Sequence, residues 1–248
     1  MVALTETFSK WILSLGLLVS LGGAIVTLPA LAQKTSESLI KPKCEQRGAD
    51  RWICSYESNP APDPYKSYEG QLRNGFPNGT GVLVYDNDDR YEGQVKNGIP
   101  HGVGMFVFKN NDRYEGQVRN GKPEGKGIFT TAKGDRYTGI MKDGHPHGNG
   151  TFVFANGDVF SGRFYLGQAK GEGTFSSKGI RCQGYYFSSQ LSGRGTCAYP
   201  PGATIKSYTG EFRGGKPDGR GVMVLSDGKR IVGEFRNGKE FNPGLTNR

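Results

Sequence analysis

Three histidines and one acidic run are the side chains of this chain whose types suit a metal ion. His145 and His147 flank Pro146 and offer two ligands, while His101 lies far earlier in the chain. The run Asp86-Asn87-Asp88-Asp89 offers carboxylates to calcium, but it lacks the sixth-position glycine and distal glutamate of a helix-loop-helix site. We therefore predict exposed turn histidines, an acidic turn, and no metal or other cofactor.

The glycine pairs of the chain resemble half of a dinucleotide fingerprint. A full fingerprint needs a third glycine and opens a helix, and neither condition is met. Gly125-Lys126-Gly127 is not a phosphate-binding loop, because the lysine is not followed by Ser or Thr. The chain also contains no Gly-x-Ser-x-Gly elbow and no His-Glu-x-x-His motif. The sequence therefore indicates a protein that is not an enzyme.

Residues 1–32 have the character of an export signal. Lys10 ends a short polar lead, Trp11 to Leu28 is nearly all apolar or glycine, and Ala30-Leu31-Ala32 is a small-x-small cleavage pattern. We expect cleavage after Ala32, which places the mature protein outside the cytoplasm, in a periplasm or secreted. The apolar stretch approaches the roughly 20 residues of a membrane span. An uncleaved N-terminal helix that anchors the protein is therefore the alternative.

A short phrase of the form aromatic-x-glycine recurs through the rest of the chain, in most cases every 23 residues. A fixed short period is typical of an array of identical small units. The eight phrases, two of which replace the aromatic with Cys or Ile, begin at Tyr68, Tyr91, Tyr114, Tyr137, Phe160, Cys182, Tyr208 and Ile231. We number the repeats one to eight from these residues.

Each repeat is predicted to form a β-hairpin. In the second repeat Tyr91 to Lys96 alternates as a strand, and Asn97 to Gly102 is a turn signal with Asn-Gly and Pro. Val103 to Phe108 is the second strand, and Lys109 to Asp112 turns the chain back. Because an isolated hairpin is marginal in water, the units must pair edge to edge. The predicted fold is all-β, an elongated single-layer antiparallel meander of repeated hairpins.

Two positions of the repeat predict an apolar ladder along one face of the sheet. Glycines at the third and fourteenth positions give the large rings room over bare backbone. The fifth position holds Leu72, Val95, Val118, Met141, Phe164, Tyr186, Phe212 and Phe235, and the sixteenth holds Leu83, Phe106, Phe129, Phe152, Phe175, Cys197 and Met223.

Four cysteines in an exported chain indicate two disulfides. Cys182 replaces the leading aromatic of its repeat and Cys197 replaces the sixteenth-position residue of the same repeat, so both face the same way on neighbouring strands. The short separation of Cys44 and Cys54 favours a second local pair around Trp52. We predict these two bonds, although connectivity does not follow from sequence alone.

The motif resembles the MORN repeat, the membrane occupation and recognition nexus. The resemblance rests on Tyr-x-Gly, a glycine five residues on and then Gly-x-Gly, as in Gly98 and Gly102 with Gly104. It implies an elongated sheet scaffold, with phospholipid binding, membrane tethering, self-association or the scaffolding of partner proteins. The predicted organisation is a signal peptide at 1–32, a disulfide-containing cap with a Pro-rich linker at 33–67, the array at 68–240 and a tail at 241–248.

Repeats five and six depart from the pattern. The fifth reads Leu166-Gly167-Gln168-Ala169 at its turn, and the sixth has Ser189 in place of the turn glycine and a longer exit, Pro200 to Ile205. They also place three aromatics on the face that is polar elsewhere, at Tyr165, Tyr185 and Phe187. Such a patch can mark an interaction site. The alternative is that the exit loop folds back and covers the rings.

The formal charge of +9 favours anionic lipid, acidic glycan or an acidic protein face over nucleic acid outside the cytoplasm. The first hypothesis is an exported scaffold that binds a protein partner or a second copy. The alternative is peripheral binding to anionic membrane. It would use a basic stripe at the sixth position of the repeat, flanked by Glu69, Glu92 and Glu115, whose members are Arg73, Lys96, Arg119, Lys142, Arg213 and Arg236.

Overall fold

The computed structural model describes residues 43–55 and 65–241, which divide into two compact units. The first unit comprises residues 43–55 and 65–132, and the second unit comprises residues 133–241. The predicted leader, the stretch from Asn59 to Pro64 and residues 242–248 lie outside the described residues. Within those described ranges, no helix is long and apolar enough to span a membrane.

The first unit is an antiparallel meander in which every strand pairs with the next one along the chain. Its strands are β1 (Lys43–Gln46), β2 (Trp52–Ser55), β3 (Tyr65–Arg73), β4 (Phe76–Tyr85), β5 (Arg90–Lys96), β6 (Ile99–Val107), β7 (Arg113–Arg119) and β8 (Lys122–Thr130).

The second unit repeats this architecture, again with consecutive antiparallel pairs. The all-β hairpin fold predicted from the sequence is confirmed. The strands are β9 (Arg136–Lys142), β10 (His145–Val153), β11 (Val159–Tyr165), β12 (Gln168–Ser177), β13 (Ile180–Phe187), β14 (Gln190–Ala198), β15 (Ile205–Arg213), β16 (Lys216–Leu225), β17 (Arg230–Arg236) and β18 (Lys239–Phe241).

The hairpin turns are shorter than predicted. Asn97 and Gly98, at φ 50° and 77°, form the whole turn, and β6 already begins at Ile99 rather than at Val103. Pro100 therefore lies inside the strand, opposite Val95. This pair is one step beyond the hydrogen-bonded pair that closes the turn, so the missing N–H of proline costs no ladder bond. The predicted six-residue turn is wrong for this reason.

The predicted apolar ladder is present in both units and is buried. In the first unit its cross-strand neighbours are at most 2% exposed. They are Tyr68, Leu83, Tyr91, Phe106, Tyr114 and Phe129. In the second unit the ladder continues in the same way through Tyr137, Phe152, Phe160, Phe175, Cys182, Cys197, Tyr208 and Met223, all of them buried.

Each ladder tyrosine lies over paired glycines. The Tyr91 hydroxyl donates to the Gln94 carbonyl at 2.8 Å. A Cβ on Gly93 would come within 2.7 Å of the Tyr91 hydroxyl and 2.6 Å of the Val103 carbonyl oxygen. The rings are therefore covered by their own chain, and the ladder needs no partner to hide it. Self-association, if it occurs, must use another surface.

Both predicted disulfides are present. Cys44 and Cys54 are opposed on β1 and β2, and Cys182 and Cys197 are opposed on β13 and β14. The Cα atoms of the two pairs lie 4.1 and 4.0 Å apart. The second bond replaces two aromatics of the ladder, so a covalent link takes the place of ring packing in the sixth repeat.

The ladder predicts a loss of stability at high pH. Burial raises the pKa of Tyr91 to about 12, against the opposing effect of its hydrogen bond to the His101 carbonyl. Burial likewise raises the pKa of Tyr137 to about 12. Because the folded state favours the protonated phenols, their stabilising contribution is complete below pH 10 and is lost as the pH rises through about 12.

Urea unfolding at a series of pH values, with tyrosinate absorbance followed in parallel, checks this expectation. We expect the unfolding midpoint to fall steadily above pH 10 while the tyrosinate signal appears together with unfolding. A midpoint that stayed constant through this range, with full ionisation of the tyrosines in the folded state, would contradict it.

Candidate functional site

The three predicted aromatics lie on the open face of the second unit, which is the face opposite the buried ladder. Tyr165 on β11 is 51% exposed, and Tyr185 and Phe187 on β13 are 43% and 54% exposed. The exit loop does not cover them. The Thr204 carbonyl accepts a hydrogen bond from Ser226 N at 3.0 Å, which places the loop near the start of the hairpins. The rings are available to a partner.

Two further side chains complete this surface. The Lys170 ammonium on β12 lies 5.2 Å from the ring centre of Tyr165 and 5.6 Å from that of Phe187. The His147 ring on β10 lies 5.4 Å from the ring of Tyr165. A cation within about 6 Å of a ring face is attracted by the ring quadrupole. We call His147, Tyr165, Lys170, Tyr185 and Phe187 the aromatic cluster.

Sequence reasoning missed His147 as a neighbour of Tyr165 and missed Lys170 altogether. Both occupy the eleventh position of their repeats. Strand pairing places this position beside the sixth position of the following repeat. In the first unit the eleventh-position Asn78 likewise contacts the next repeat, where its amide donates to the seventh-position Asn97 at 2.9 Å. The fixed repeat position was therefore a usable signal.

The hairpins of repeats five and six keep their geometry despite their unusual turns. Leu166 and Gly167 adopt φ 48° and 80°, and Ser188 and Ser189 adopt φ 47° and 62°. Non-glycine residues in this region are strained by about 1 kcal/mol or more each. The turns therefore still present Tyr165 and Phe187 at the ends of their strands.

The unusual residues Ala169 of repeat five and Ser189 of repeat six compensate each other. Four turn glycines donate to the carbonyl of the strand proline one repeat back, as Gly121 does to Pro100 at 2.9 Å. Ser189 N donates in the same way to the Ala169 carbonyl at 3.0 Å. Ala169, unlike proline, also carries an N–H, and this group donates to the Ser189 hydroxyl at 3.2 Å. Both residues are buried, so this acceptor satisfies a donor that water cannot reach.

All six residues of the predicted basic stripe are exposed. Arg73, Lys96 and Arg119 belong to the first unit, where Arg73 and Lys96 line an open cavity of about 700 Å³ together with His101. Lys142, Arg213 and Arg236 belong to the second unit. Glu69 pairs with Arg51 at 2.7 Å and Glu92 with Arg90 at 2.9 Å rather than with the stripe, whereas the stripe residue Arg213 pairs with Asp218 at 3.6 Å.

The acidic run predicted as a turn serves as one, whereas the prediction of exposed turn histidines is wrong, because the short turns place His101 on β6 and His145 and His147 on β10, all half-buried. Asp88 pairs with Lys66 at 2.7 Å and with Lys109 at 3.4 Å, and hydrogen bonds to these two lysines lower the pKa of its carboxyl. The Asn87 amide donates to Asp89 at 2.7 Å. Among the described residues, no group of three or more His, Cys, Asp and Glu side chains is placed to hold a metal ion.

A family model described as the MORN repeat matches residues 68–90, 91–113, 114–136, 137–159, 182–204 and 208–230, more than half of the chain. The fifth repeat, which carries Tyr165 and Lys170, is not among the matched segments. No curated protein matches the chain significantly.

Several solved structures show a distant likeness. The TCP domain of Drosophila melanogaster SAS-4, in complex with a proline-rich motif of Ana2, is 14% identical over 64% of this chain and 85% of that chain, with a TM-score of 0.38. The TCP10c domain of Drosophila melanogaster Sas-4 is 14% identical over 64% of this chain and 93% of that chain, with a TM-score of 0.35. Staphylococcus aureus virginiamycin B lyase is 11% identical over 75% of this chain and 63% of that chain, with a TM-score of 0.17. Likeness of this degree does not bear on what the chain binds.

Proposed function

Because the chain belongs to the MORN repeat family, we propose that it is an exported, non-enzymatic binding scaffold whose contact surface is the open face of the second unit. MORN repeats generally mediate protein–protein or membrane interactions. Family membership therefore makes a protein partner, or a second copy of the chain, the first candidate to bind this surface. The observation that carries the proposal is the exposure of Tyr165, Tyr185 and Phe187 beside Lys170.

Export is supported by two features. The N-terminal residues have the composition of a cleavable signal. Both cysteine pairs are oxidised, and structural disulfides are typical of oxidising compartments outside the cytoplasm. The proposal assigns the chain no reaction.

Affinity capture and light scattering test the contact surface. We expect the mature chain to capture a partner from its extracytoplasmic fraction, or to exceed the monomer mass. The triple variant Tyr165→Ser, Tyr185→Ser and Phe187→Ser is expected to lose at least about tenfold in binding, because each ring contributes about 1 kcal/mol or more at an interface core. These side chains are exposed, so the variant is expected to stay folded.

The matched control removes exposed apolar side chains from the first unit instead. Ile99 and Val103 are 49% and 57% exposed, and Ile99→Ser with Val103→Ser is expected to leave binding unchanged. Equal losses in both variants, or a strict monomer that captures nothing, would count against the proposed surface.

Peripheral binding to anionic membrane is the second candidate. It is favoured by the exposure of all six stripe residues and by the cavity that Arg73 and Lys96 line. Basic residues near an anionic surface contribute about 1 kcal/mol each. Cosedimentation with vesicles rich in phosphatidylserine, repeated at rising salt, tests this candidate. Absence of binding at low ionic strength would exclude it.

A further inference from the structure

The aromatic cluster is organised as a row with a regular interval. His147, Tyr165, Lys170 and Phe187 lie on four successive strands, β10 to β13, and the separations between neighbours in this order are 5.4, 5.2 and 5.6 Å. The interval follows from the strand spacing of about 4.8 Å. It is close to the length that one β-linked pyranose unit adds to an extended polysaccharide. A row of rings with Lys170 between the last two thus matches a polymer of rings.

A second row on the same face consists of uncharged hydrogen-bonding groups. Two pairs of neighbours in this row are hydrogen-bonded through their side chains, Thr151 with Ser161 at 3.0 Å and Thr196 with Thr209 at 3.2 Å. Hydroxyls donate and accept, as sugar hydroxyls do. We call it the hydroxyl row, and across β10 to β15 it comprises Thr151, Ser161, Thr174, Gln183, Thr196 and Thr209.

The two rows form one continuous surface. Arg163 lies between Ser161 and Tyr165 on β11, and Tyr185 lies between Gln183 and Phe187 on β13. The rows are four residues apart along a strand, which is roughly 13 Å. The surface therefore offers stacking rings, cationic groups and hydrogen-bonding groups, with one exposed carboxylate, Glu172, between Thr174 and Lys170 on β12.

The repeat itself does not require this chemistry. In the first unit the positions equivalent to the hydroxyl row alternate carboxylates with apolar side chains. They are Glu69, Val82, Glu92, Met105, Glu115 and Ile128. The hydroxyl row is thus a property of the second unit alone.

Charge is also concentrated in the second unit. Residues 133–241 contain 16 Lys and Arg against nine Asp and Glu, whereas the described residues of the first unit contain 12 against 10. An excess of cations attracts polyanions and raises their local concentration. We propose that the open face of the second unit binds a linear polysaccharide whose pyranose units carry carboxylates. This inference rests on the contact surface of the proposed function.

The rings and the cations have separate roles in this complex. Tyr165 and Phe187, two strands apart, stack on the faces of alternate sugars. Lys170 between them pairs with the carboxylate of the intervening sugar, in a charge-assisted hydrogen bond. A lipid bilayer would instead require a contiguous apolar patch for insertion, and the hydroxyl row interrupts any such patch.

Carboxymethylcellulose and hydroxyethylcellulose are suitable probes because they share one glucan backbone and differ in charge. Binding is measured by affinity electrophoresis and calorimetry of the mature chain at physiological salt. The Debye length is about 8 Å at this ionic strength, so long-range electrostatic attraction is suppressed. We expect carboxymethylcellulose to bind at least about tenfold more tightly than hydroxyethylcellulose. Tyr165→Ser with Phe187→Ser is expected to weaken binding of both polymers about tenfold.

The charge variants separate recognition from general attraction. Lys170→Gln is expected to remove most of the preference for carboxymethylcellulose and to leave hydroxyethylcellulose binding unchanged. Lys126→Gln, at an exposed lysine of the first unit that lies outside the basic stripe, is the matched control and is expected to bind as wild type does. Equal losses from Lys170→Gln and Lys126→Gln, or wild-type affinity in the double ring variant, would overturn the inference.

Two other results would overturn it while leaving the proposed function intact. One is capture of a protein, or dimer formation, through the aromatic cluster with no polysaccharide binding. The other is binding to phosphatidylserine vesicles with no carboxymethylcellulose binding. The melting temperature of every variant, measured alongside, identifies any loss of binding that comes from unfolding.

Discussion

Replacing Gly210 with alanine is expected to destabilise the protein by about 3 kcal/mol, because the added methyl group overpacks the ladder. A Cβ at this position would lie 2.5 Å from the Cα of Gly221, 2.6 Å from the Arg220 carbonyl oxygen and 2.6 Å from the Tyr208 hydroxyl. Two of these atoms belong to the backbone of β16 and cannot turn aside. Relief would require the strands to separate or the buried Tyr208 ring to leave its place.

Gly233 provides the matched control for this substitution. It occupies the same third position in the last repeat, yet a Cβ there would meet no atom of residues 43–55 and 65–241 within 4 Å. The difference arises because Ile231 replaces the leading ring and β18 does not reach this part of β17. Gly233→Ala is expected to be neutral, or stabilising by a few tenths of a kcal/mol through the unfolded chain.

Urea unfolding midpoints of Gly210→Ala and Gly233→Ala measure the contrast within one unit of the protein. Similar midpoints for the two variants would show that the glycines serve only backbone flexibility. A large difference would show that their role is to leave space for the tyrosine ring.

Restoring proline at position 169 and glycine at position 189 together is expected to rescue the damage that each change causes alone. Ser189→Gly relieves a strained φ but removes the acceptor of the Ala169 N–H, and the buried unpaired donor costs about 1–3 kcal/mol. Ala169→Pro directs its ring towards the Ser189 hydroxyl, which lies 3.2 Å from the nitrogen. Overpacking of this kind costs about 1–3 kcal/mol.

The double variant Ala169→Pro with Ser189→Gly has neither the unpaired donor nor the clash. It recreates the arrangement of Pro100 and Gly121, so its stability is expected to equal or exceed that of wild type. The double-mutant cycle should give a coupling energy of about 2 kcal/mol. Additive effects of the two substitutions would show that the Ser189 hydroxyl is not the acceptor that Ala169 needs.

The repeat pattern by itself predicted the strands of the array, the buried face and the Cys182–Cys197 bond, whereas the Cys44–Cys54 bond was inferred from the short separation of the two cysteines. These features depend on residues close together in the chain: alternation with period two sets the face, and Asn-Gly fixes a tight turn. The equal length of the repeats then transfers one register to the next hairpin, which is why Cys182 and Cys197 were recognised as opposed. The exposed aromatics at Tyr165, Tyr185 and Phe187 followed from the same alternation.

Only the tertiary structure decided how these elements meet. It placed Pro100 inside a strand, because the closing pair of the turn depends on the φ values of two residues. It buried the tyrosines without a second layer, because each ring covers one glycine of its own strand and one of the neighbouring strand. It brought His147 and Lys170 to Tyr165 and aligned the hydroxyl row across neighbouring strands. Such contacts join different repeats, and their geometry depends on the path of the sheet, which no local pattern specifies.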